Sequence, residues 1–173
     1  HVEQLCVDAL GRRDLFARAY ADRWLGQLLA ESAPARALVH LEAANRLVPG
    51  DGATLKRLGR VLLSLSAWER AADVLEAYLA LPIGQRDDKL QVELSNVLAR
   101  RLGRRNDAEA CLRRVLERTP DHVDALRLMA ELAAQANRTD DSLEWYERAA
   151  RGAEKSKRYQ AAAAAHVAIG HLW

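Results

Sequence analysis

At 173 residues with a formal net charge of +2, the chain is long enough for one ordinary domain and too nearly neutral for nucleic acid as its main partner. Half of its residues are apolar, Phe occurs once, and Ala and Leu dominate, which favours helix throughout. Its two cysteines, Cys6 and Cys111, exclude a disulfide framework or a zinc knuckle, and no apolar run of about 18 residues exists to span a membrane.

Val2 to Leu10 reads as a short helix stopped by Gly11. Leu15 to Ala30 is a longer one, with Phe16, Ala19, Tyr20, Trp24, Leu25, Leu28 and Leu29 inward or partly so. Ser32-Ala33-Pro34 breaks the chain, and Pro34 suits the first turn of a helix from Ala35 to Val48. Gly50-Asp51-Gly52 is a turn. The next helix carries Leu55, Leu58, Gly59 and Leu62. Ser66-Ala67-Trp68-Glu69 reads as a capping box for a helix with Ala71, Leu75 and Tyr78 inward. Leu81 to Arg86 is a longer connection, read as a tolerant surface loop.

From Lys89 a helix places Val92, Ser95, Asn96 and Ala99 inward, and its polar Ser95 and Asn96 depart from the apolar pattern. Gly103 turns the chain, and Ala108 and Leu112 mark the following helix. Pro120 ends that helix, and Asp121 stands where an N-cap would. Val123, Leu126, Met129 and Leu132 then fall at helical spacing. Asn137 breaks the run, Thr139 or Asp140 caps the next helix, and Leu143, Tyr146, Ala149 and Ala150 form its stripe. The polar run Arg151 to Arg158 continues as helix or frays, and Tyr159 to Trp173 forms a last helix.

The two helices behind Pro120 resemble a tetratricopeptide repeat. With Val123 as the first residue of the unit, Met129 and Ala130 take the seventh and eighth places, and Ser142, Tyr146 and Ala149 take the small, aromatic and small places of the second helix. Leu25-Gly26 and Leu58-Gly59 repeat the first of these signatures upstream. The resemblance implies an all-α fold, an α-solenoid of stacked antiparallel helix hairpins wound into a right-handed superhelix of about ten helices. It implies one domain, 1–173, with repeats at 15–49, 52–88, 89–120 and 121–154 and a C-terminal half-repeat at 159–173. Ile169, Leu172 and Trp173 leave an apolar end, which fits a chain that carries on better than a polar cap.

The resemblance further implies a non-catalytic module that binds a peptide or partner protein in a concave groove lined by the first helix of each repeat. The wall positions are Tyr20, Arg23, Gln27 and Glu31, then Lys56, Arg60, Leu63 and Ser64. They continue with Leu90, Glu93, Val97, Arg100 and Arg101, then Asp124, Arg127, Glu131 and Gln135. The cations Arg23, Lys56, Arg60, Arg101 and Arg127 are the candidate partner-binding residues, and they favour an acidic segment. Gln27, Arg60, Val97 and Glu131 stand where chaperone-binding members carry the asparagines of a carboxylate clamp, so that clamp is not expected.

His1, His40, His122, His166 and His171 are scattered, and no phosphate loop, nucleophile elbow or H-E-x-x-H occurs, so no catalytic, cofactor-binding or metal-binding residue is expected. Two alternatives stay open. One is a structural or regulatory repeat domain of a larger enzyme or of a secretion or assembly machine. The other is RNA binding through the basic hairpin of Arg100-Arg101, Arg104-Arg105 and Arg113-Arg114. No signal peptide is visible, which favours the cytoplasm, and an opening on His1 rather than Met fits an excised piece.

Overall fold

Turns decide where the described helices stop, and five of them use a left-handed residue. Ser66, Asn137 and Lys157 have φ of 58°, 57° and 58°, and Gly50 and Gly103 have 78° and 67°. At Ser66 the Ala67 N–H donates to the Leu62 carbonyl and the Ser66 N–H to that of Leu63, each at 3.0 Å. This is a Schellman closure, which satisfies carbonyls left over at a helix end. The same pair of bonds recurs at Asn137 and Lys157. The capping box expected at Ser66 is therefore replaced: Ser66 closes the preceding helix, and Ala67 is the N-cap of the next, with no side-chain bond.

The computed structural model describes residues 14–170. Among them are nine α-helices and no strand, so the chain is all-α. They are α1 (Leu15–Leu29), α2 (Pro34–Leu47), α3 (Gly52–Ser64), α4 (Trp68–Ala80), α5 (Asp88–Arg100), α6 (Arg105–Arg118), α7 (Val123–Gln135), α8 (Thr139–Lys155) and α9 (Tyr159–Gly170). The helix expected at Val2 to Leu10, the Gly11 stop, Cys6, and the last three residues of the expected Tyr159 to Trp173 helix lie outside the described residues. The chain divides between Asp87 and Asp88 into two units.

In the first unit α1 packs on α2 and α3 on α4, and α2 packs on α3. Two glycines make the close approach possible. A Cβ on Gly26 would lie 2.5 Å from Leu41 Cγ, and one on Gly59 would lie 2.3 Å from Leu75 Cδ2. Leu41 and Leu75 are fully buried, each seated against the bare backbone of the facing helix. Asp22 is buried on α1 and pairs with His40 Nδ1 of α2 at 2.8 Å. The connection after α4 is no loose loop. Gly84–Arg86 forms a 3-10 turn, and a Cβ on buried Gly84 would stand 2.0 Å from the Tyr78 carbonyl oxygen.

In the second unit α5 packs on α6, α7 on α8 and α8 on α9, with α6 and α5 both meeting α7. The register of α5 differs from the expectation. Its buried residues are Leu90, Gln91, Leu94, Ser95, Val97 and Leu98, while Asn96 is exposed. The inward stripe thus runs Gln91, Leu94, Ser95 and Leu98, one residue earlier than expected. Ser95 is the small residue of that stripe, and its hydroxyl donates to the Gln91 carbonyl at 2.7 Å. The extra residue is absorbed in the α5–α6 turn, where the Arg104 N–H reaches back to the Leu98 carbonyl at 2.8 Å.

Two further caps fall elsewhere than expected. His122, not Asp121, is the N-cap of α7, with Nδ1 accepting from the Ala125 N–H at 3.3 Å. Arg138 is the N-cap of α8, so Thr139 and Asp140 lie inside the helix. Asp121 and Asp124 instead receive Lys155 and Arg158, each carboxylate matched to a cation one repeat length further on. The run after Arg151 stays helical to Lys155 and then turns at Lys157.

Candidate functional site

The seam between α1 and α3 in the first unit gathers the most charge chemistry. Asp51 is the N-cap of α3 and accepts from the Thr54 N–H at 3.0 Å and the Thr54 hydroxyl at 2.6 Å. Arg23 of α1 adds a third bond, from Nη1 at 3.0 Å. Burial works to raise the Asp51 carboxyl, but the hydrogen bonds from Thr54 and Arg23 outweigh it and hold the group below its ordinary value. The Arg23 guanidinium also lies 4.9 Å from the centre of the Tyr20 ring.

One turn along the seam, Gln27, Leu28, Glu31, Lys56, Arg57 and Arg60 line an open pocket of about 710 Å³. Lys56 is matched by Asp87 at 2.5 Å and lies 5.6 Å from the centre of the Tyr78 ring. Arg57 has no such match. Its Nε donates to Gln27 Oε1 at 2.8 Å and its Nη1 to the Ala53 carbonyl at 3.1 Å, both neutral acceptors. Burial, and then the Arg23 charge, push the Arg57 guanidinium below its ordinary value, and the Asp51 carboxylate offsets them only in part. Arg60 is exposed and makes no ion pair within the described residues. The pocket thus sets two guanidinium groups without a paired carboxylate against the one acid of Glu31.

A second opening, of about 270 Å³, lies at the other end of the seam between Phe16, Tyr20, Arg23, Val48, Asp51 and Thr54. Its polar groups are already satisfied by the Arg23–Asp51–Thr54 bonds. What it offers is apolar: Phe16 is 75% and Tyr20 54% exposed.

The second unit is different. Arg100 of α5 and Arg127 of α7 both bond Glu131, so each guanidinium has a carboxylate beside it. Nearby Tyr146 is pushed above the ordinary phenol range by burial and by the Glu131 carboxylate. Arg101 is exposed just past the end of α5, while Leu90 and Val97, expected on the wall, are buried. In the basic hairpin Arg104 meets Asp107 at 2.7 Å, and Glu109 takes both Arg113 and Arg138.

Of the five expected cations, Lys56 and Arg60 share one pocket and Arg23 borders the next opening of the same seam. Arg101 and Arg127 belong to the second unit. Arg57 was not expected, because it stands between the wall positions, and only its bond to Gln27 on the neighbouring helix brings it to the pocket. Among the described residues no group of three or more His, Cys, Asp or Glu could hold a metal ion, and no helix is long and apolar enough to cross a membrane.

Antiparallel helix pairs packed in sequence, with an open charged seam between α1 and α3 of the first unit, define a helical-repeat architecture. Residues 97–157 match the tetratricopeptide repeat family model. No curated protein matches it. Among solved structures it is similar to a MamA crystal structure at a TM-score of 0.77 and 16% identity, covering 91% of this chain and 90% of that one. It is similar also to MamA 41-end from Desulfovibrio magneticus RS-1, at 0.66 and 18%, covering 90% and 94%. A third is YrrB, described as a TPR protein with an unusual peptide-binding site, at 0.67 and 17%, covering 95% and 84%. These likenesses give the chain the α-solenoid fold that was expected.

Proposed function

We propose that this chain binds a peptide segment of a partner protein along its first helices and carries out no chemistry of its own. The observation that supports this reading is the pocket in which Arg57 and Arg60 hold charge that no carboxylate among the described residues pairs with. Side chains kept cationic beside an open cavity attract an anionic ligand and speed its arrival. Arginine forks onto a carboxylate with two parallel bonds, which adds selectivity to that attraction. YrrB, with its peptide-binding site, is a precedent for such use of the fold. The basic hairpin of the second unit supports RNA binding less well, since Arg104 and Arg113 already face carboxylates.

Charge reversal by Arg60→Glu tests the reading, because Arg60 is exposed and its replacement leaves packing alone. Partner protein retained from the native source by the full chain at low salt should fall about tenfold, with the helical circular dichroism signal unchanged. Equal retention by the variant would remove the pocket from the account.

A further inference from the structure

Resting on that reading, the geometry points to the kind of segment bound. We infer that the α1–α3 seam takes an extended chain with an acidic side chain at one position and an aromatic or large apolar side chain three positions away. The acid meets Arg57 and Arg60, and the apolar residue settles on Phe16 and Tyr20.

Three observations carry this. First, the two openings differ in what they lack. The Arg57 end lacks a paired carboxylate: among the described residues its guanidinium bonds Gln27 Oε1 and the Ala53 carbonyl. The Tyr20 end lacks apolar cover: its charges are closed by Arg23, Asp51 and Thr54, and its aromatic rings stand open. A ligand carrying only acid would leave Phe16 wet, and one carrying only apolar groups would leave Arg57 unmatched.

Second, both ends lie on one stripe of α1. Phe16, Tyr20, Arg23, Gln27 and Glu31 succeed one another at intervals of three or four, so they share a face. A straight segment laid along the seam meets both ends without turning.

Third, the distance fixes the spacing. Tyr20 and Gln27, the residue that holds Arg57, are two helical turns apart, roughly 10 Å along the axis. An extended chain rises about 3.3 Å per residue, so three residues cover the gap. Two helical turns in the ligand would cover it as well, but would set the acid and the apolar group seven apart instead of three.

The test uses the full chain and a panel of capped, fluorescently labelled peptides in a Ser/Gly background. Each holds one Glu and one Phe, in either order, at separations from one to seven, with Gln-for-Glu controls. Fluorescence polarisation at low salt is expected to peak at a separation of three. Gln for Glu in the peptide, or Arg57→Gln in the protein, should weaken that peptide about tenfold, and Phe16→Ser should weaken it several-fold while flattening the dependence on spacing. Arg60→Gln serves as a second charge variant if Arg57→Gln fails to fold. A profile that depends on Glu but not on spacing overturns the two-contact arrangement and leaves peptide binding standing. A peak at seven overturns the extended ligand in favour of a helical one. Binding of no peptide at all overturns this inference and the acidic-segment reading together.

Discussion

Gly59 and Leu75 show how one missing side chain organises a helix pair. A methyl on Gly59 would lie 2.3 Å and 2.6 Å from two carbons of a leucine that is fully buried and has no room to move. Gly59→Ala gains helix propensity of about 1 kcal/mol but overpacks by more. A net destabilisation of about 1–2 kcal/mol in urea unfolding is expected. Asp51 gives a second test at this scale. Asp51→Ala removes both the cap and the Arg23 pair and should cost about 1–2 kcal/mol, whereas Asp51→Asn keeps a capping oxygen and should cost under about 1 kcal/mol, since the pair is part-exposed. Because the folded carboxyl titrates below its ordinary value of 3.8, its contribution is complete above that pH and disappears as the pH falls through the lowered value. Stability measured against pH should lose that acid-side drop in Asp51→Asn.

At the scale of elements, the left-handed turn residues set the ends of α3, α7 and α8. Lys157 is long-chained and sits at φ of 58°, where a Cβ is strained. Lys157→Gly should therefore raise stability by about 0.5–1 kcal/mol, read as a higher thermal midpoint, although glycine frees the unfolded chain. Helix order was legible from the sequence because the apolar spacing and the Gly, Asn and Pro breaks agree. The register of α5 was not. Its segment from Leu90 to Ala99 offers two overlapping stripes, and a strict repeat length selects the wrong one when a turn holds one residue more. The caps at Ser66 and Asp121 were misread for a related reason: the polar residue closest to a helix start was busy closing the helix before it or pairing with another. Of the candidate site, Lys56 and Arg60 could be found from the repeat pattern. Arg57 could not, because its place at the pocket depends on a bond to Gln27 that only the packed helices bring about.

Across the molecule, stability in a stack of repeats is a sum of local terms and nearest-neighbour contacts. Leu126, fully buried in α7, is a suitable probe of that additivity. Leu126→Ala should cost about 2–4 kcal/mol locally. Amide hydrogen exchange should then rise in α7, α8 and the helices they touch, and α1 and α2 should keep their wild-type protection. A uniform rise along the whole chain would mean a single cooperative core in place of a stack.

The 3-10 turn after α4 reaches beyond the joining of two helices. Asp87, at its end, holds Lys56 and the Tyr78 hydroxyl, so an acid delivered by a connection bears on the charge of a cavity lined from other helices. Asp87→Asn would subtract that anion while keeping the turn, and Lys56 would join Arg57 and Arg60 in seeking a counter-ion. On the proposed reading, an acidic ligand would be held more strongly once that carboxylate is gone.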